Sequence, residues 1–439
     1  MPEPDVPMPY LRLVDLRGDT SDPTAQLPRP RVDLSAAREG VDATLRAVRD
    51  RGDGAVRDLT ERFDGVDLDD LRVPEDVLRQ ALDHLPAELR AALERAADQV
   101  RTFHEHARPQ DWEITRGTAR MGQWHRPVQR AGVYVPGGKA AYPSTVIMTV
   151  VPAQVAGVEQ IVLCTPPTSD NDLPNRTILA AAALLGVRDV FRVGGAQAIA
   201  AMAYGTATIP ACDKVVGPGN LHVSLAKQQL AAEGVIGIDG YAGPTEIAIV
   251  ADASAEAHVV AADLVAQAEH DELATCLLIT DDQYLIRRVE DALTDEVAAT
   301  KHRGRVEAAL AGQGTVVLVT DMDQAVEVAE AFAAEHLEVQ TRDARTVAER
   351  IRYAGTTFIG TPTPVSLGDY AAGPNHTLPT SGTARFAGGL STSSFLVPVN
   401  WVEYDEESLA ELAPSVQRLA EAEDLPAHAR AVEIRLESS

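Results

Sequence analysis

Between residue 35 and about residue 108, apolar residues recur at the three- and four-residue spacing of helices that bury one face. The pattern predicts a helix over 35–63 with a break at Gly52-Asp-Gly54. A second helical region starts at Pro74, with acidic residues beside it. Within 86–107, Leu89, Ala92, Leu93, Ala96 and Ala97 form one stripe. After Arg130 the period changes. Short apolar runs predict strands over 132–135, 160–164, 189–193, 214–216, 247–250, 275–280, 315–319 and 357–359. Ala-rich helices lie between most of them, for example over 174–185, 196–204, 255–269 and 323–334. This alternation implies α/β units with mostly parallel sheets. Residues 1–30, rich in proline, predict an irregular arm. The tail predicts a helix from residue 408, a break near Pro426 and a strand-like run over 431–436.

Composition narrows the reading. The chain has 439 residues, and 39 Lys plus Arg against 65 Asp plus Glu give a net charge of −26. That balance opposes nucleic-acid and anionic-membrane partners. Three cysteines, Cys164, Cys212 and Cys276, with no Cys-x-x-Cys, argue against a disulfide framework or a thiolate zinc site. No basic segment followed by an apolar run opens the chain, and the apolar stretches fall short of a bilayer span. The expectation is a cytoplasmic protein.

Four glycine-rich turns adjoin strands or helices: Val135-Pro-Gly-Gly138, Val193-Gly-Gly-Ala-Gln197, Val216-Gly-Pro-Gly-Asn220 and Asp239-Gly-Tyr-Ala-Gly-Pro-Thr245. Such turns let a ligand approach backbone N–H groups, and a following helix N-terminus favours phosphate. Neither the Gly-x-Gly-x-x-Gly nor the Walker A pattern occurs, so the turns admit a nucleotide without naming it.

Four of the 11 histidines have a polar neighbour close in sequence. Gln267 and His270 are three apart on a helix, and so share a face. Glu335 and His336 are adjacent. Asp369 and His376 flank Tyr-Ala-Ala-Gly-Pro-Asn, and Glu423 and His428 flank the break in the tail. Imidazole and carboxylate are zinc ligands in the absence of cysteine, and also acids and bases near pH 7. Gln267 would not be chosen as a ligand on chemistry alone. His84, His104, His106 and His302, in charged helical stretches, are read as surface or core residues. His125, His222 and His258 lean the same way. The weakly patterned stretch from Gly355 to Leu390 is the best single indicator of an active site.

Seven segments in order carry a family resemblance: Arg130-Ala-Gly-Val-Tyr-Val-Pro-Gly-Gly138, Gly194-Gly-Ala-Gln-Ala-Ile199, Gly217-Pro-Gly-Asn220, Ala242-Gly-Pro-Thr-Glu246, Ala266-Gln-Ala-Glu-His270, Glu335-His-Leu-Glu338 and Gly368-Asp-Tyr-Ala-Ala-Gly-Pro-Asn-His376. Over essentially its whole length the chain resembles histidinol dehydrogenase. The resemblance implies an NAD-dependent, zinc-containing enzyme of histidine biosynthesis that oxidises L-histidinol via L-histidinal to L-histidine. It implies an α/β, aldehyde-dehydrogenase-like fold of two incomplete Rossmann-like domains, with a helical N-terminal region and a small C-terminal dimerisation arm. The matching divisions are 1–30 (irregular arm), 31–130 (helical), 131–240 (NAD-binding), 241–375 (catalytic and zinc), 376–400 (return crossing) and 401–439 (arm).

By the same resemblance Gln267, His270, Asp369 and His428 match zinc ligands. Glu335 matches the base that activates water, and His336 the residue that handles substrate protons. Thr245, His376 and Glu423 match substrate contacts, joined by the ligand residues and His336. Tyr134, Gln197 and Asn220 match NAD contacts. Glu423 and His428 are expected to reach the partner subunit's site, making a homodimer with shared active sites. The family usually has Ser where this chain has Thr245; the hydroxyl survives. None of the cysteines lies in the matching segments, so no covalent thiol intermediate is expected. Three rivals stand beside this reading: a related enzyme for another amino alcohol, a zinc hydrolase built on the Glu-His pair, and an inactive scaffold.

Overall fold

This computed structural model describes residues 8–30, 35–137, 141–170, 172–240 and 243–437. Two parallel sheets organise them. In the first, strands Gln160–Thr165 and Asp189–Arg192 lie on one side of Arg130–Tyr134, and strands Lys214–Val216 and Gly237–Ile238 on the other. The strand order thus reverses between Arg130–Tyr134 and Lys214–Val216. At such a reversal the crossover helices go to opposite faces and leave a crevice at the carboxyl ends. The second sheet runs Arg12–Asp15, Gly314–Leu318, Thr275–Thr280, Glu246–Ala251, His336–Gln340 and Thr356–Ile359, all parallel. Its reversal lies between Glu246–Ala251 and His336–Gln340.

Parallel strands need crossovers, so helices cover both faces and the central strands read as continuous apolar runs. Val133, Leu163, Ile249, Leu277 and Leu278 are fully buried in this way. Helix Pro143–Ala156 packs between helices Ala87–His106 and Arg176–Leu184, which explains its nearly uniform apolar surface. The helical segment expected over 35–63 is two helices, Ser35–Arg51 and Asp53–Asp64. Gly52 between them has φ +53°, a left-handed conformation that suits glycine. Among the described residues no helix is long and apolar enough to cross a membrane.

The structure corrects several expectations. The arm over 1–30 is not irregular throughout: Arg12–Asp15 is an edge strand paired with Gly314–Leu318. Four residues carry too little periodicity to reveal this, and the pairing partner lies some 300 residues away. The helical region over 31–130 ends at His106 and gives way to strands Trp112–Arg116 and Ala119–Pro127. These join Leu396–Glu403 in an antiparallel sheet, and its edge strand Trp112–Arg116 is exposed at every residue, so it shows no apolar alternation. The run over 431–436 is not a strand. It belongs to helix Pro426–Glu437, which packs on helix Glu406–Ala422. Strand His336–Gln340 was not anticipated, because three of its five buried residues are polar. The stretch 355–390 holds helix Val365–Tyr370 as well as the expected strand near 357.

Candidate active site

Glycine turns were expected to bring ligands to the carboxyl ends of strands. In the second sheet the acid–base residues gather at the amino ends instead. Glu246 and His336 open the two neighbouring strands at the reversal, and Thr245 and Glu335 immediately precede them. Glu335 is buried. Its Oε2 accepts hydrogen bonds from Thr245 Oγ1 at 2.6 Å and from the Glu246 N–H at 2.9 Å. Burial pushes its carboxyl up to about 7 despite these donors. Glu246 is also raised to about 7 by burial, against the pull of Arg29, whose Nη1 lies 3.0 Å away.

Hydrogen bonds to carbonyls set the histidine tautomers, because a carbonyl only accepts. His336 donates from Nδ1 to the Glu246 carbonyl at 3.2 Å. Its Nε2 is buried without a hydrogen-bond partner and lies 3.7 Å from Asp369 Oδ1. Burial lowers the imidazole's pKa, so this nitrogen is an available lone pair at neutral pH. His270 donates from Nδ1 to the Ala266 carbonyl at 3.0 Å, which leaves Nε2 free, 4.0 Å from Asp369 Oδ2. His376 donates from Nδ1 to the Asp369 carbonyl at 2.9 Å, and its Nε2 accepts from Thr145 Oγ1 at 3.2 Å. Burial lowers its pKa as well.

The donor set suits a cation with one ligand short. Gln267, 2% exposed, commits Nε2 to Thr245 Oγ1 at 2.6 Å. Its Oε1 is buried with no hydrogen-bond partner. The free His270 nitrogen and the Asp369 carboxylate are of the type zinc accepts, and the orphaned amide oxygen is a weaker oxygen donor. Among the described residues no three His, Cys, Asp or Glu side chains converge on one point. Glu423 and His428 are exposed on the C-terminal arm and are not brought to this cluster within one chain. The cysteines are buried, and burial pushes the Cys212 and Cys276 thiols up to about 12.

A second group sits at the carboxyl ends of the first sheet. The Tyr134 hydroxyl accepts the Gly195 N–H at 3.1 Å, at the start of helix Gly195–Tyr204. Burial raises Tyr134 to about 12. Gln197 in that first turn is 1% exposed, with Nε2 unpartnered. A buried, unpaired donor beside a helix N-terminus fits a polar or anionic ligand. Asn220 caps helix Leu221–Ala232, accepting from His222 and Val223 N–H groups. The turn before it needs Gly217: its φ is +115°, and a Cβ would collide with the Tyr134 carbonyl. Lys227 and Asp239 form a buried ion pair that holds this turn, Lys227 donating to the Gly217 carbonyl at 2.9 Å and Asp239 accepting its N–H at 2.7 Å. Gly138, Tyr241 and Ala242 of the other turns lie outside the described residues.

Sequence reasoning missed Thr145, Arg29 and Glu246. Thr145 stands in an apolar helix, and Arg29 in a proline-rich arm, so neither has a polar neighbour that marks it. Of the histidines read as surface or core, His104 is fully buried, while His84 and His106 bond their own helices' carbonyls.

A strand-order reversal lined by glycine turns on one sheet, with a buried carboxyl–imidazole pair on the other, makes this an α/β protein with a candidate acid–base site. The sequence model of the histidinol dehydrogenase family matches residues 27–436. A histidinol dehydrogenase of Thermobifida fusca (strain YX) is 51% identical over 427 residues, 96% of this chain and 97% of that one. One from Nocardia farcinica (strain IFM 10152) is 49% identical, with 98% of each covered. The crystal structure of histidinol dehydrogenase from Elizabethkingia anophelis matches with a TM-score of 0.92 at 32% identity, covering 98% of each chain. The chain belongs to the histidinol dehydrogenase family, and is thus an oxidoreductase of histidine biosynthesis.

Proposed function

We propose that the chain oxidises L-histidinol to L-histidinal and then to L-histidine, a four-electron reaction that uses two NAD⁺ and one water. The observation that carries this reading is the bare Nε2 of His336 near the Asp369 carboxylate, on a ring whose Nδ1 lies 3.6 Å from the buried Glu335 carboxyl. When bound, each NAD⁺ would supply an acceptor for one hydride, two NAD⁺ serving in succession. Gln267, His270, Asp369 and the partner subunit's His428 would hold zinc, which when bound would orient the substrate. His336 Nε2 takes the hydroxyl proton as hydride leaves the alcohol carbon. Glu335 takes a proton from the water that adds to the aldehyde, and the hydrate then gives up the second hydride. Thr245, His376 and the partner subunit's Glu423 hold the substrate, and Tyr134, Gln197 and Asn220 the dinucleotide.

Residues 131–240 are assigned to NAD, 241–375 to catalysis and zinc, 376–400 to the return crossing and 401–439 to the dimer arm. The same reading makes the protein a cytoplasmic homodimer. Exposed Leu412, Leu419, Leu425 and Ile434 on the arm support a partner contact there. The cysteines' burial and raised pKa support a route without a thiol adduct. The test is NADH absorbance with purified protein, L-histidinol and NAD⁺, before and after chelation. Two NADH per histidinol, lost on chelation and restored by Zn²⁺, is the expected result. Turnover without NAD⁺ would favour a hydrolase and overturn the reading.

A further inference from the structure

Beneath the site, a polar cluster that no proposed catalytic role uses joins three segments. Glu338, 1% exposed, is two residues after His336 on strand His336–Gln340. Its Oε1 accepts the N–H of Val365 at 3.0 Å, at the first residue of the short helix that carries Asp369. Its Oε2 accepts from Gln340 Nε2 at 2.8 Å, and the same nitrogen donates to Asp263 Oδ2 at 3.0 Å. Gln340 thus bridges Glu338 and Asp263 through one nitrogen. Asp263 lies one turn before Gln267 on helix Ala257–Ala268, and His270 follows that helix directly.

Burying two carboxyls together is costly, and well-packed apolar residues are often at least as stable. Burial and the neighbouring Asp263 push Glu338 up to about 8, which favours its protonated form at neutral pH. Helix Val365–Tyr370 has six residues, too few to hold its place by itself. The bonds of Glu338 reach each segment that carries Gln267, His270, Glu335, His336 or Asp369.

We propose that Glu338, acting through Val365 N–H, Asp263 and Gln340, is a positioning residue that sets the spacing of Gln267, His270 and Asp369 for a divalent cation. This inference rests on the zinc reading above. The test is Zn²⁺ affinity of the full-length, metal-stripped protein, by competition with a chromophoric chelator, alongside the thermal midpoint without metal. Glu338→Leu removes the tie and is expected to weaken binding about 10–100-fold. Val365→Pro removes the N–H at a first-turn position that proline suits, puts another apolar residue of similar size where the buried valine packs, and is expected to weaken binding about tenfold. Glu338→Gln keeps an acceptor for Val365 and a donor for Asp263, since Gln340 can turn its unpartnered Oε1 toward the new amide, and is expected to retain affinity. If Glu338→Leu does not fold, Val365→Pro decides. Equal affinity in wild type and Val365→Pro overturns the proposal, as does a Glu338→Gln loss as large as that of Val365→Pro. A wild-type protein that takes no Zn²⁺ overturns the zinc reading itself, a result distinct from equal binding by all.

Discussion

Replacing Glu335 by glutamine separates the two oxidation steps. The carboxyl's Oε2 is held by two donors, Thr245 Oγ1 and the Glu246 N–H. An amide can present its carbonyl oxygen to both, so shape and hydrogen bonds persist while basicity is lost. Stability should not fall, because burial already penalises the charged carboxylate that the amide replaces. Loss of a general base typically costs about 10²–10⁴-fold, or about 3–5 kcal/mol of barrier. That loss should fall on the step that consumes water. Two NADH assays compare the steps: L-histidinal alone, and L-histidinol with an aldehyde trap that stops the reaction after one NADH. The expected outcome for Glu335→Gln is a drop of about 10²–10⁴-fold from L-histidinal and under about tenfold from trapped L-histidinol. An equal drop in both, in a folded variant that keeps its metal, refutes the assignment.

Cys276→Ser should stay folded and active, at a cost of about 1–2 kcal/mol, because a hydroxyl can keep the thiol's bond to the Leu264 carbonyl; a folded variant with almost no turnover would establish a thiol role. Mixed dimers of a His428→Asn chain with a His336→Asn chain should recover one intact site per heterodimer. No recovery in titrated mixtures would sink the shared-site reading. The metal-free protein should lose stability as pH rises through about 7 to about 8 and level off above, by up to about 1.4 kcal/mol per pH unit for each proton the fold retains. Glu335 and Glu246, raised to about 7, and Glu338, raised to about 8, hold protons that the unfolded chain, near 4.5, has released. The buried histidines with lowered pKa are neutral in both states over this range and do not reverse the sign. Urea unfolding across the window checks it, and a flat profile contradicts the burial of these carboxyls.

Local periodicity was enough for the helices before residue 108 and for most strands of both sheets, since burial on both faces leaves a continuous apolar signature. The motif segments were enough for the family, and they held Glu335, His336, Asp369 and His270 before any coordinates did. What pattern could not supply was pairing between distant segments. Arg12–Asp15 is a strand only because Gly314–Leu318 lies beside it. His336–Gln340 is a strand despite its polar residues because Glu338 and Gln340 find partners on other elements. The tautomers of His270, His336 and His376 depend on which carbonyls stand next to Nδ1. Gln267 makes chemical sense only once Thr245 has claimed its nitrogen and left its oxygen bare. Residue types and their order are local properties, and they determined the class of chemistry. Which lone pairs stay free follows from long-range packing that only the tertiary structure decides, and that packing leaves Glu423 and His428 exposed.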